Sequence, residues 1–336
     1  MVQFSEVVKN QPQGVTPPKP VSGRAAPSAS GVALGRAITP EQLYHGLRKF
    51  MKGVGQQVQN KAPFDLRKGL KLVDLILESS EETIEDLEMM TLLADEPASS
   101  LSVHASNIAI NSIVIGKSLG YYKSRLKDLV AAALFHELGM YMVPDSIRKK
   151  NGALSEEEYA IIKEHPLHTY EILTGCGERG REIAEIVIQE HERGDGSGYP
   201  KGLKAEAIHE HAFIIGLLDI YESMVHSRSY RKRLPPPEAM KTLIRRSKGL
   251  FPKKLIKTLL KELSIYPVKS YVRLNNNSIG MVIKTNPMWP LKPIISIIFD
   301  AQGKKLEGER RITDLSETPL LFIKDVIPEN EVDDFT

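Results

Sequence analysis

The chain has 336 residues, a net charge of +3, 41% hydrophobic and 26% charged residues. That balance fits a soluble globular protein of about two domains, and so small a positive excess gives no reason to expect a nucleic-acid polymer as ligand. The lone cysteine, Cys176, excludes an intramolecular disulfide and any cysteine-based zinc finger, which leaves nine histidines as the main candidate metal ligands.

Residues 1–37 are rich in Pro, Gly, Ser and Ala with few large apolar side chains, and predict a disordered tail or linker. The first thirty residues contain no apolar core of an export signal. The longest apolar run, LVAAALF at 129–135, is far too short for a membrane span, so a cytoplasmic protein with no membrane segment is expected. Residues 38–97 form a small helical region. Thr39 places a capping hydroxyl before Pro40, and LRKGLKLVDLIL and EETIEDLEMMTLLAD carry helical spacing.

Residues 98–267 read as one helical domain. His104 lies four before Ile108 on an inward stripe. LKDLVAAALFHELG is apolar nearly all round and predicts a central buried helix that ends at His136-Glu137, with Gly139 closing it. Ser155 and Glu158 form a capping box for a helix ending near His165-Pro166. Ile183, Val187 and His191 are spaced by four, so Glu190 and His191 are expected at a helix end. Asp219 follows Phe213, Ile214, Leu217 and Leu218 on another apolar helix. Residues 268–328 change to short β-rich runs (SYVRL, GMVIK, PIISIIF, LLFIK) separated by turn signals, a small β appendage. Residues 329–336 are an acidic tail.

His104, His136-Glu137, His165 with His168, Glu190-His191 and Asp219 share one property: polar, ligating side chains on apolar faces. Taken singly, an inward histidine is usually a core residue bonded to backbone, and Asp219 alone could be one half of a buried pair. The coincidence of several such places makes a nitrogen and oxygen cage for first-row metals, suited to phosphoester hydrolysis. His45, His209, His211 and His226 read as surface residues. Competing motifs fail: HELGM and HERGD both lack the second histidine of HExxH, and one cysteine excludes the deaminase signature.

The order of motifs, SVHASNIAINSIVIGKSLGY, AAALFHELG, HERGDGSGYPKGL and LLDIYESMVHSRSYRKRL, resembles the HD-GYP family of bacterial cyclic-di-GMP phosphodiesterases from about residue 100 to 325. The resemblance implies an all-α HD-superfamily bundle with a helical lead-in and a small β-rich tail. It implies two divalent transition metals, iron or manganese favoured. The first would be held by His104, His136, Glu137 and Asp219, and the second by Glu137, His165, Glu190 and His191. Glu137 and Asp219 would be the catalytic carboxylates. A hydroxide bridging the metals would attack phosphorus and open cyclic-di-GMP to the linear dinucleotide or GMP. Arg228 and Arg231 would clamp phosphate, with Tyr199, Gly198 and Asp195 of the loop shaping the substrate site, and the loop would contact diguanylate cyclase domains.

Three positions depart from the family pattern. Glu137 stands for its aspartate, Glu190 for a histidine and Met140 for a lysine; Ser100 stands where some members carry a third-metal glutamate. These substitutions keep open a degenerate module that binds cyclic-di-GMP or a signalling partner without turnover, and the HD-type metal cage alone keeps open a phosphohydrolase for another nucleotide.

Overall fold

The computed structural model describes residues 38–92, 100–226, 234, 236–263, 266, 268–286, 288–306 and 311–327. The chain divides into two compact units, Met1–Thr39 and Pro40–Thr336. Of the first only Ile38 and Thr39 are described, so the expected tail lies outside the described residues, as does the acidic tail.

The second unit is mainly helical. Helix α1 (Pro40–Gln59) begins at the proline after Thr39 and buries Leu43, Tyr44, Leu47, Met51, Val54 and Val58, a stripe spaced by three and four. Helices α2 (Leu66–Leu77) and α3 (Glu81–Leu92) complete the lead-in. Asp65 caps α2 by accepting from the Arg67 amide. Helix α4 (Leu101–Ser118) is buried on nearly every side and packs against α1, α3, α5 (Lys123–Phe135), α10 (Glu210–Val225) and, beyond α11 (Pro236–Ser247), α12 (Lys253–Glu262). It is the axis of the bundle. Its small residues let neighbours close in, and Ser106 and Ser112 return their hydroxyls to the helix backbone, which lets polar side chains sit inside an apolar core.

After α5 come a short 3-10 turn (Leu138–Tyr141), α6 (Asp145–Arg148), α7 (Glu156–Ile162), α8 (His165–Thr174) and α9 (Glu178–Val187). The Ser155–Glu158 capping box opens α7 as expected. That helix stops at Ile162, however, and His165-Pro166 begins α8. Proline tolerates the first turn of a helix better than its end, because its missing N–H is not needed there. Gly139 also differs from its expected capping role. It lies inside the 3-10 turn, where a Cβ would fall 2.0 Å from the His165 carbonyl oxygen. The glycine allows two chain segments to touch.

The C-terminal appendage is an open, fully antiparallel sheet in the order β4-β3-β2-β1-β5. The strands are β1 (Tyr271–Leu274), β2 (Ile279–Lys284), β3 (Ile294–Phe299), β4 (Arg311–Asp314) and β5 (Ile323–Ile327). Strand β4, sequence RITD, carries no apolar run and gave no strand signal; pairing with β3 makes it a strand. No helix among the described residues is long and apolar enough to cross a membrane.

Candidate metal centre

Four imidazoles converge from four elements. His104 projects from α4, His136 follows the last turn of α5, His165 opens α8, and His191 lies in the turns after α9. Helix α9 ends at Val187, so Glu190 and His191 are carried by a tight turn and not by the helix end expected from their spacing. Glu190 is buried and His191 half-buried.

Three of these rings are anchored in the same way. His104 Nδ1 is 2.7 Å from Glu222 Oε2, His136 Nδ1 is 2.7 Å from the Ala133 carbonyl, and His165 Nδ1 is 2.7 Å from the Ile162 carbonyl. Each Nδ1–H donates to a protein oxygen, which turns Nε2 toward the common space. His104 Nε2 lies 3.8 Å from Glu137 Oε1 and 3.4 Å from Asp219 Oδ1. His165 Nε2 lies 3.1 Å from Glu190 Oε1 and 3.1 Å from His191 Nε2. A 4.0 Å gap between His136 Nε2 and Glu190 Oε2 joins the two sides.

Two groups thus form, His104–His136–Glu137 and His165–Glu190–His191, each with ligand atoms within 4.8 Å of one another. Among the described residues, the buried atoms His104 Nε2, His136 Nε2, Glu137 Oε2 and Glu190 Oε2 make no hydrogen bond. Buried polar atoms are almost always satisfied, so four in one place call for a shared electrophile. Imidazole nitrogen with carboxylate oxygen is the donor set of first-row divalent cations. The residues present therefore fit a two-cation centre.

The electrostatics follow from the same crowding. Burial pushes the Glu190 carboxyl above the usual range against the pull of His136 and His165. Burial would lower His165, but Glu137 and Glu190 hold it up at about 9. His191 is driven well below the ordinary histidine range by burial and by the neighbouring His165.

Two positioning residues escaped the sequence reading. Thr169, one turn after His165, donates its hydroxyl to the His136 carbonyl at 3.0 Å and accepts from the Gly139 amide at 2.8 Å. It ties the His136-Glu137 turn to α8. Glu222, three residues after Asp219 on α10, orients His104. The signal for both was helical spacing from a suspected ligand. His211 and His226, expected at the surface, are buried. His226 Nε2 bonds the Thr91 carbonyl at 2.8 Å, the ordinary fate of a core histidine.

The glycine-rich loop closes one side. The Tyr199 ring stacks on His191 with centroids 4.8 Å apart and planes 17° apart. A Cβ on Gly198 would fall 2.4 Å from both the Arg193 amide nitrogen and Glu192 Cα, so only glycine lets the loop return this closely. Asp195 is exposed and spends its carboxylate on the Ser197 amide and hydroxyl of its own turn. Glu192 is buried and accepts from the Lys201 and Leu203 amides at 2.7 and 2.8 Å. Arg228 and Arg231 lie outside the described residues.

The comparisons agree with this geometry. A family model described as "HD domain" matches residues 88–255, and one described as "KOW domain associated with HD domain" matches 271–335. The chain is 29% identical over 232 residues to the cyclic di-GMP phosphodiesterase PdeB of Borreliella burgdorferi, covering 69% of this chain and 61% of that one. It is 28% identical to the cyclic di-GMP phosphodiesterase PA4108 of Pseudomonas aeruginosa, covering 60% and 49%. The chain thus spans about half to three fifths of the length of these relatives. The solved structure of Bd1817, an HDG"Y"P protein from Bdellovibrio bacteriovorus, shares the fold at a TM-score of 0.53 and 18% identity, over 68% of this chain and 72% of that one. Since the HD model spans half the chain, and the GYP loop sits against a histidine–carboxylate cluster of the expected kind, the chain belongs to the HD-GYP family of the HD superfamily.

Proposed function

We propose that the protein is a metal-dependent phosphodiesterase that hydrolyses cyclic-di-GMP to the linear dinucleotide or GMP. The observation that carries this reading is the pair of adjoining clusters with three anchored imidazoles turned inward. Two bound divalent cations would make a water acidic enough to attack phosphorus and would offset charge developing on the phosphoryl oxygens. His104, His136, Glu137 and Asp219 would hold one cation; His165, Glu190 and His191, with Glu137 reaching across, would hold the other. Glu190 in place of an imidazole adds a hard oxygen donor, which favours manganese or iron(II). Tyr199 keeps the His191 ring in place and covers that side of the site. Arg228 and Arg231 are the proposed phosphate clamp. The exposed outer side of the loop, at Asp195 and Ser197, is where a diguanylate cyclase domain would dock.

A second reading, binding without turnover, is favoured by Met140, which leaves the position of the family's lysine without a cation. Hydrolysis assays with manganese and with iron(II) separate the two. The parent is expected to convert cyclic-di-GMP, and Glu190→His with Met140→Lys to convert it faster. Nucleotide that binds unchanged, in the parent and in the double variant alike, would overturn the hydrolytic reading.

A further inference from the structure

The segment ahead of the family-matched residues reaches into the metal centre. The HD model begins at residue 88, yet α1 packs against α4 and against the 3-10 turn that follows Glu137. The Tyr44 hydroxyl of α1 donates to Asn107 Oδ1 at 2.7 Å. The Asn107 amide donates to Glu222 Oε1 at 3.2 Å. The other oxygen of that carboxylate takes the Nδ1 proton of His104 at 2.7 Å. All four side chains are buried. Farther along the same helix, Gly55 lies against the Tyr141 ring with no room for a Cβ, so α1 also braces the turn after Glu137.

The chemistry of the chain of bonds is directional. An asparagine amide has one accepting and one donating end. A hydroxyl donating to Oδ1 commits the NH2 end to Glu222. A flipped amide would set an oxygen against a carboxylate. The carboxylate in turn fixes the ring plane and the tautomer of His104, the role of outer partners at metal-bound histidines.

We propose that Tyr44 is a positioning residue of the metal centre: through Asn107 it fixes the Glu222 carboxylate that orients His104, so that α1, outside the family domain, sets the cation affinity of the first cluster. This rests on the reading of the two clusters as cation sites. A displacement of α1 then changes occupancy at His104 without touching a ligand.

The test is a cobalt(II) titration of the full chain, followed by visible absorbance and calorimetry, with circular dichroism to check the fold. Tyr44→Phe keeps the ring over which Arg48 lies at 5.3 Å and removes only the hydroxyl. It is expected to weaken one of the two binding events about tenfold, the lower end of outer-partner effects, and to leave the other at the parent's affinity. Asn107→Leu is expected to weaken the same event, and the double variant to be no worse than the more affected single. Should Tyr44→Phe unfold, Asn107→Leu carries the same test. Leu47→Ala, on the same helix but off the chain of bonds, controls for packing. Parent-like affinities in both Tyr44→Phe and Asn107→Leu would overturn the proposal alone, as would equal weakening by Leu47→Ala. A folded parent that binds no cobalt would overturn the cation reading, and the proposal with it.

Discussion

An imidazole offers a lone pair at Nε2 only when its proton is held at Nδ1. His104, His136 and His165 meet that condition through Glu222, the Ala133 carbonyl and the Ile162 carbonyl. His211 shows the opposite case. It is buried at the start of α10, its ring 5.4 Å from Tyr121 and 4.7 Å from His209, and neither of its nitrogens has a hydrogen-bond partner among the described residues. Burial, followed by the nearby His209 and Arg125, lowers its pKa from 6.5 to about 3. Between those values the unfolded chain takes up a proton that the native state refuses. Stability therefore falls as pH drops through this window, by about 1.4 kcal/mol per pH unit for one such group. His211→Phe should flatten the pH dependence of urea unfolding between about pH 6 and 4; an unchanged slope would show that His211 does not titrate this way. At this scale the inward direction of the converging histidines was legible because apolar spacing aimed them at the core. Spacing did not reveal that His211 and His226 are buried as well, since HEHAF and MVHS place them at the ends of an apolar run where either outcome fits. Glu222 carried only the spacing signal, three residues from Asp219, and its role shows once its partner on α4 is known.

Among elements, the loop after His191 has the most specific construction. Its two returning amides, Lys201 and Leu203, both end on the buried Glu192 carboxylate. Arg193 donates to the Glu190 and Glu192 carbonyls from below. Glu192→Ala strips both amides of their acceptor. With about 1.5–3 kcal/mol for a hydrogen bond to a charged group, hydrogen exchange at residues 201 and 203 should accelerate roughly ten- to hundredfold while α4 and α5 keep their protection. Unchanged exchange at these two amides would contradict the clamp. The glycines and Tyr-Pro of this loop were plain in the sequence, because a close return needs residues of that kind. The end of α9 at Val187 was not: Ile183, Val187 and His191 keep helical spacing, and only the tight turn shows that the spacing outlasts the helix. Strand β4 was missed because tertiary pairing, not its own composition, makes it a strand.

For the whole molecule, the mainly helical fold with its β appendage could be read from the switch of hydrophobic period near residue 268 and from the order of motifs. The approach of the two groups to one another was implied by the resemblance; what could not be read was how the fold holds them together. It depends on contacts distant in sequence: Thr169 to the His136 carbonyl, Gly139 beneath His165, and Tyr44 to Asn107. The first two contacts draw the His136 and His165 sides together and the third leads to His104; the central claim is that the resulting centre holds divalent cations. The most direct measurement is elemental analysis of the full chain, purified without oxygen, loaded with manganese and freed of loose ions. One cation in each of the two groups, about two per folded chain, is the predicted result. A folded chain that retains no divalent cation would contradict it.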